Sequence, residues 1–498
     1  MNPLKKLAGE TAIYGISSIV GRVLNYLLVP LYTTVFHSSQ YGVITKLYAY
    51  AAFFNIIYSY GMETAFFRFS SRGDLRNPYQ QASTMILLTS TLFSALTMIC
   101  SQSIANYLEV PDQKHLVQFL AAILFIDAVS AIPFARLRLE NKAMTFALAK
   151  MGAIIFTITL NLAFLLIPYL VYHKGLFTSL EPFVSSYYHP EFGVGYVFLA
   201  NLLGNFLIIL MLRKYFMQIG LRISWNQAKP LLKYGLPIFL MGLAGIVNEQ
   251  ADKLLIPNLL PDNFYPGKTS MAALGIYGAS FKLSIFMLLA IQAFRYAGEP
   301  FFFSHAENKQ APELFAKVMY YFVVVCTFIL LTVSLNIDLL GQIFLRQPSY
   351  REALHLVPVL LFGKLLLGIY INLSIWFKLV DKTLVGTYIS LIGAAVTILV
   401  NWMLIPVIGY TGSAFASVLC YGLMSLICWL WGRKHFPIPY NWRGILLHLG
   451  FAISVIYLVD QFRPENNPLN HMINILIPIA YIGAIVVFEK KKLNIKIT

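Results

Sequence analysis

The stretch YGVITKLYAYAAFFNIIYSYGMETAFF (Tyr41–Phe67) is apolar enough to cross a membrane, yet it contains Lys46 and Glu63. The chain carries a second version of it, YGASFKLSIFMLLAIQAFRYAGEPFFF (Tyr277–Phe303). At an offset of 236 residues (277 minus 41), eight of the 27 positions are identical, and these include the lysine and the glutamate. Because apolar composition alone does not align two charged residues, we interpret the pair as an internal repeat.

The repeat continues beyond this stretch at an offset of 240 residues. Further matches are His115 with His355, Thr157 with Thr397, Asn161 with Asn401 and, upstream at a smaller offset, Tyr14 with Tyr234. Helices one to six are therefore predicted to be duplicated as helices seven to twelve. Since six is even, both copies have the same orientation, which predicts two lobes related by a pseudo-twofold axis along the membrane normal. The predicted parts are an N-terminal lobe (1–220), a C-terminal lobe (221–440), and helices 13 and 14 with a basic tail (441–498).

Composition places the whole chain in the membrane. Of 498 residues, 58% are hydrophobic and 12% are charged, against about 25% charged in soluble domains. Apolar runs of about 20 residues, each long enough to span a bilayer as a helix, recur along the chain. The prediction is an all-α polytopic membrane protein with about 14 transmembrane helices. The four cysteines lie in apolar runs without a pairing pattern, which favours packing over a disulfide or a metal site.

The basic residues predict the orientation. With a cytoplasmic N-terminus, 23 lysines and arginines fall in or next to inner loops and six in outer loops. This asymmetry follows the positive-inside rule and places both termini in the cytoplasm. It also explains most of the formal charge of +16, so the charge does not indicate a nucleic-acid partner.

Ionisable side chains deep in a bilayer cost about 2.5–3.5 kcal/mol each on insertion scales, and they usually face the protein interior or a watery cavity. We interpret four deep cations as the lining of a cavity for an anionic substrate: Arg22, Lys46, Lys282 and Lys364. An arginine can bind phosphate oxygens in a bidentate manner, and lysines act as point charges. The alternative for these cations is interhelical hydrogen bonding to main-chain carbonyls.

Two further groups of charged residues have other predicted roles. The first group is assigned either to ion coupling or to internal pairing: Asp127, Glu249, Asp252 and Lys253. Within it, Glu249 and Lys253 have the i, i+4 spacing of a neutralising pair. The second group lies near cytoplasmic helix ends and is assigned either to a cytoplasmic gate or to snorkelling and capping: Glu63, Glu299, Arg68 and Arg295. Lys150 lies near such an end too and is assigned to snorkelling or capping.

Several features bear on mechanism. Glycines and prolines interrupt helices one and seven, a pattern found in the binding-site helices of transporters: Gly15, Gly21, Pro30, Gly235, Pro237, Gly242 and Gly245. No nucleotide-binding loop, zinc-protease motif or nucleophile elbow occurs in the sequence. We therefore expect a transporter without a cofactor, driven by Na⁺, H⁺ or another source, and not an enzyme.

Two segments carry a resemblance to a known family. LVPLYTTVFHSSQYGVITKLYAYAAFFNIIYSYGMETAFFRF, and ADKLLIP followed by ALGIYGASFKLS, resemble bacterial polysaccharide (O-antigen) flippases of the multidrug/oligosaccharidyl-lipid/polysaccharide exporter superfamily. The resemblance implies alternating access in the bacterial cytoplasmic membrane. The substrate it implies is an undecaprenyl-diphosphate-linked oligosaccharide for surface polysaccharide, with membrane lipids and polysaccharide assembly proteins as partners.

Three alternatives stay open from the sequence. One is a multidrug and toxic-compound exporter coupled to Na⁺ or H⁺, with Asp127 or Glu249 as the ion site. Another is a lipid II flippase of the same superfamily. A glycan polymerase is disfavoured by the repeat and by the small outer loops. Charge favours a lipid diphosphate over a cationic drug, because the six deepest ionisable residues, which are the four deep cations with Asp127 and Glu249, sum to +2 (four positive minus two negative).

Overall fold

A computed structural model describes residues 15, 19–73, 75–220, 222–306, 308, 310–462 and 468–495. The described helices are numbered in chain order: α1 (Ile19–Val35), α2 (Ser38–Ser59 and Met62–Arg72), α3 (Pro78–Ile99), α4 (Lys114–Leu139), α5 (Ala143–Lys174), α6 (Gly195–Met211), α7 (Trp225–Leu259), α8 (Ser270–Lys282 and Ile285–His305), α9 (Ala311–Leu335), α10 (Pro348–Leu379), α11 (Thr383–Ile408), α12 (Tyr410–His435), α13 (Trp442–Gln461) and α14 (Pro468–Ile495). Short helical turns join some of them.

The prediction of an all-α polytopic membrane protein is confirmed. Over the described ranges, nine helices are long and apolar enough to cross a bilayer, and the two pieces of α8 together make a tenth. Shorter apolar helices are α1, α6 and the central part of α14. The predicted start of the first span and Tyr14 of the repeat lie outside the described residues.

Contacts divide the chain into two compact units, Met1–Gly278 and Ala279–Thr498. In the first unit α3 packs on α4, α6 packs on α4 and α5, and α7 packs on α2. In the second unit α12 packs on α10 and α11, and both α13 and α14 pack on α9. The division by contacts assigns α7 and most of the first piece of α8 to the first unit. The lobe boundaries at 220 and 440 stay a prediction.

Local breaks interrupt three of the helices. Helix α2 stops at Ser59 and resumes at Met62, because Tyr60 (φ 29°) and Gly61 (φ 76°) both have positive φ. Helix α5 contains a π-helical turn at Leu162–Leu166, and such turns are frequent at functional sites. Helix α8 is broken at Leu283–Ser284.

The sequence repeat recurs as a repeated side-chain contact. Asn161 in α5 donates to the Thr157 carbonyl at 2.8 Å, and Asn401 in α11 donates to the Thr397 carbonyl at 2.7 Å. Both asparagines are almost fully buried. Their oxygens accept hydrogen bonds from the Tyr32 hydroxyl (2.9 Å) and the Ser413 hydroxyl (2.7 Å), respectively. The repeated asparagines therefore tie α5 to α1 and α11 to α12.

The connection that follows α4 is also repeated after α10. Asn141 and Asp381, which are 240 residues apart, both have φ 55°. The next amide in each case closes the turn, from Lys142 to the Leu137 carbonyl (2.9 Å) and from Lys382 to the Phe377 carbonyl (2.8 Å). Asparagine and aspartate tolerate this left-handed conformation better than most residues. The repeat therefore extends to turns whose residues are not identical.

Replacing Asn401 with alanine tests the buried contact. The change leaves the buried Ser413 hydroxyl without its hydrogen-bond acceptor. We therefore expect the free energy of unfolding to fall by about 1–3 kcal/mol and the melting temperature in detergent to fall with it. Asn258→Ala is the matched control, because Asn258 makes the same bond to the carbonyl four residues earlier (3.2 Å) but is exposed. Equal losses of stability in the two variants would contradict a stabilising role for the buried Asn401–Ser413 hydrogen bond.

Candidate functional site

Lys46 lies in a closed environment in the first half of α2. Its side chain is 4% exposed, and its ammonium donates to the Leu108 carbonyl at 3.3 Å. The Glu109 carboxylate lies 3.9 Å from the same ammonium. This is the carbonyl contact that the sequence left open as the alternative to a substrate-binding role.

The two predicted cations of the second unit have different surroundings. Lys282 is the last residue of the first piece of α8 and is exposed. Lys364 in α10 is 4% exposed. Its ammonium lies 5.0 Å from the centre of the Phe281 ring and 5.8 Å from that of Tyr421, distances at which an aromatic face attracts a cation. The repeated lysines Lys46 and Lys282 are therefore not equivalent in the structure.

Arg22 belongs to a group of charges in the first unit, which we call the charged cluster: Arg22, Asp127, Arg138 and Lys150. The charges of the other three all act on the Lys150 ammonium. Lys150 lies over the rings of Phe134 (5.7 Å) and Phe146 (5.3 Å). Arg22 in α1 is exposed, so the cluster has a cation at the surface of the unit.

Polar side chains of α6 contact Asp127 of the charged cluster and, nearby, Tyr48. Asn205 donates to the Asp127 carboxylate at 2.8 Å. One turn earlier, Asn201 donates to the Tyr48 hydroxyl at 2.8 Å, and the Tyr48 ring stacks on Phe198. The Asp127 carboxylate thus accepts a hydrogen bond from the Asn205 amide, and the charge of the Lys150 ammonium acts on it.

A buried ion pair lies at the junction of α7 and α8. Asp252 and Lys253 are 8% and 5% exposed. One Asp252 oxygen accepts from the amide (2.9 Å) and the ammonium (3.2 Å) of Lys253, and the other accepts from the Tyr277 hydroxyl at 2.5 Å. The Lys253 ammonium also donates to the Glu249 carbonyl at 3.2 Å. Lys253 thus pairs with its sequence neighbour Asp252, where the spacing had suggested the Glu249 carboxylate.

The repeated glutamates each bind a basic residue of their own unit. Glu63 accepts a hydrogen bond from the Arg138 guanidinium, and Glu299 accepts one from the Lys378 ammonium at 2.5 Å. Arg138 and Lys378 are 240 residues apart and so occupy matching positions in the repeat. We call these two pairs the lobe clasps, since each joins the second part of α2 or α8 to the end of α4 or α10.

The remaining two predicted gate residues lie on the same helix segments as the repeated glutamates. The Arg68 guanidinium lies 4.2 Å from the centre of the Tyr234 ring, which joins α2 to α7. Arg295 lies 3.5 Å from the Glu299 carboxylate and has a 61% exposed side chain. Such exposed ion pairs contribute about 1 kcal/mol or less.

The second unit contains an apolar cavity of about 430 Å³ between α9, α10, α12 and α13. Its lining includes Phe362, Phe415 and Ile453, and its polar groups include His355 and Asp460. No three histidine, cysteine or acidic side chains come together as a metal site within the described ranges.

Sequence reasoning missed several residues of these groups. Lys150 was assigned to snorkelling, and Arg138 and Lys378 were counted only as loop charges. The signal for the last two was available, since a basic residue recurs at an offset of 240. Asn205 and Tyr277 gave no signal, because only the packing of α6 and α8 brings them to a carboxylate.

Comparison with known proteins agrees with this architecture. Residues 35–173 match a family model described as polysaccharide biosynthesis protein. Among solved structures, the lipid II flippase MurJ in an inward closed conformation matches with a TM-score of 0.71 at 14% identity, over 96% of this chain and 99% of MurJ. At this level of identity the match shows that the chain shares the fold of MurJ. The resemblance inferred from the sequence is confirmed to this extent: part of the chain matches a polysaccharide biosynthesis family, and the whole chain has the fold of a lipid flippase.

Multidrug transporters of the MOP (multidrug/oligosaccharidyl-lipid/polysaccharide exporter) superfamily also have a similar fold. An inward-facing MATE family transporter matches with a TM-score of 0.61 at 13% identity, over 83% of this chain and 94% of the other. An outward-facing MATE transporter matches with a TM-score of 0.54 at 17% identity, over 85% and 94%. Among curated protein sequences, none matches this chain.

Lys253→Met tests the buried ion pair. Removing one partner of a buried pair leaves an uncompensated charge, which costs about 3–5 kcal/mol, so we expect low yield and a lower melting temperature. Lys229→Met is the control, because Lys229 is exposed on the same helix. The double variant Asp252→Asn/Lys253→Met should recover part of the lost stability, because it removes the uncompensated charge. A Lys253→Met protein as stable as Lys229→Met would contradict the pairing.

Proposed function

We propose that this protein is a flippase that moves an undecaprenyl-diphosphate-linked oligosaccharide across the bacterial cytoplasmic membrane by alternating access. The observation that carries the proposal is the charged cluster in the first unit. Its three cations outnumber its acidic members even when Glu63 is added, since three positive minus two negative charges leave +1. The exposed Arg22 puts a guanidinium, which matches phosphate geometry, at its surface.

The family match and the fold support the lipid-linked substrate. The matched family model is one of polysaccharide biosynthesis, and MurJ is itself a lipid flippase by name. The apolar cavity of the second unit is lined by side chains that suit a hydrocarbon chain. In this proposal Arg22 and Lys150 bind the diphosphate, while Lys46 and the lobe clasps hold helices in place. Both termini face the cytoplasm, as the distribution of basic residues predicts.

A cation-coupled multidrug exporter is the second candidate, favoured by one observation. Asp127 is a carboxylate held inside the first unit by Asn205 and near Lys150, and MATE transporters share the fold. In that case Asp127 is the coupling residue and the charged cluster binds no phosphate. Asp252 is not the coupling residue in this candidate, because the Lys253 ammonium already supplies the positive charge that a coupling ion would bring.

Transport into proteoliposomes tests the proposal. A fluorescent undecaprenyl-diphosphate oligosaccharide is added to one leaflet, and an impermeant quencher measures the fraction that has crossed. We expect flipping by the wild type and an at least tenfold slower rate for Arg22→Gln/Lys150→Gln, because each charged hydrogen bond contributes about 1.5–3 kcal/mol. Lys229→Gln, an exposed cation elsewhere in the unit, should leave the rate unchanged.

The same vesicles distinguish the second candidate. The exporter would replace the flippase proposal if two results were obtained together. The wild type would flip no lipid, and it would take up a cationic dye driven by Na⁺ or H⁺, an uptake that Asp127→Asn abolishes. Flipping that is equally fast in wild type and in Arg22→Gln/Lys150→Gln would remove the charged cluster from the mechanism.

A further inference from the structure

The first half of α2 approaches the main chain of α8 closely. A Cβ atom at Gly42 would overlap the carbonyl oxygen of Met271, and one at Gly275 would overlap the carbonyl oxygen of Ser38. Both glycines are buried. We call this pair of glycines, with the carbonyls they touch, the first glycine contact. Side chains of any size at these two positions would force the helices apart.

A second contact of the same kind lies at the break of α2. Gly61 has φ 76°, and a Cβ there would overlap the Gly235 carbonyl of α7. A Cβ at Gly235 would lie 3.0 Å from the Tyr60 carbonyl. We call Gly61 and Gly235 the second glycine contact. Helix α2 therefore meets helices of the second sequence repeat through glycines at two places.

The two contacts lie near opposite ends of one transmembrane helix. Gly42 and Gly61 are 19 residues apart, which corresponds to about 28 Å of helix at 1.5 Å per residue. A hydrocarbon core is about 30 Å thick. Small residues allow helices in membranes to approach closely, and at both contacts the nearest atom to each glycine Cβ position is a main-chain carbonyl oxygen. Each contact therefore depends on the absence of a side chain at its glycines.

We propose that the first and second glycine contacts are the two closures of the transport cycle, at the outer and the cytoplasmic side respectively. Opening one admits or releases substrate while the other stays shut. The inference rests on the proposed function for the orientation of α2 and for alternating access. It assigns the closing surfaces to the glycines of α2, α7 and α8, and not to the glutamates that the sequence suggested as a gate.

The proposal predicts opposite effects of enlarging the two contacts. Gly275→Ala should hold the outer side open, and Gly235→Val should hold the cytoplasmic side open. The matched control is Gly245→Val, because Gly245 lies on α7 with no atom near its Cβ position. The background is Cys100→Ser, since Cys100 is exposed and the other three cysteines are buried.

Reporter cysteines measure the opening of each side. Thr45→Cys lies at the first contact, near Gly278, and Ile56→Cys lies near Gly242 of α7. An impermeant maleimide is applied to spheroplasts for the outer side and to inside-out vesicles for the cytoplasmic side. For Gly275→Ala we expect labelling of the Thr45→Cys reporter to rise at least fivefold and labelling of the Ile56→Cys reporter to fall. For Gly235→Val we expect the reverse.

Specific outcomes overturn the proposal. Shifts in the same direction for both variants, or shifts no larger than that of Gly245→Val, show that the contacts do not alternate. Gly42→Ala, which enlarges the first contact from the other helix, must reproduce the Gly275→Ala result, and failure to do so also overturns it. Labelling requires no substrate, so opposite shifts in a protein that flips no lipid would retain the closures while rejecting the proposed function.

Discussion

The cost of placing charge inside a bilayer is the constraint on which this structure depends. Each deep ionisable group costs several kcal/mol unless it meets a partner or water. The protein meets this cost locally: Lys46 binds a carbonyl and lies near Glu109, and Asp252 is surrounded by Lys253 and Tyr277. The lobe clasps do the same within each unit. After these pairings, the charged cluster retains a small excess of positive charge.

The repeat was the most informative feature of the sequence, and it predicted the fold well. Identical residues such as Asn161 and Asn401 do make the same contact in both copies. Lys46 and Lys282 do not share surroundings in this way, since Lys46 is buried and Lys282 is exposed. Identical residues at matching positions indicate that two backbone segments share a common origin. The surroundings of each side chain, however, depend on its neighbours in the fold. The residues Leu108 and Glu109, which hold Lys46, gave no signal in the sequence.

The candidate site was predicted less completely than the fold. Arg22 and Asp127 were found from the cost of burying charge, but Lys150 was set aside because it lies near a helix end. The glutamates were recognised as a pair, although their partners Arg138 and Lys378 were not, since the second copy has a lysine where the first has an arginine. A search for matching charge, and not only matching residues, would have found the lobe clasps. Asn205 and Tyr277 required the packing of the helices.

We propose that the positive excess of the charged cluster recognises a lipid diphosphate. The most direct measurement is native mass spectrometry of the purified protein with equal amounts of undecaprenyl diphosphate and undecaprenol, beside Arg22→Gln/Lys150→Gln. We expect the wild type to retain the diphosphate in preference to the alcohol and the variant to lose this preference. Equal retention of both lipids by the wild type would contradict it.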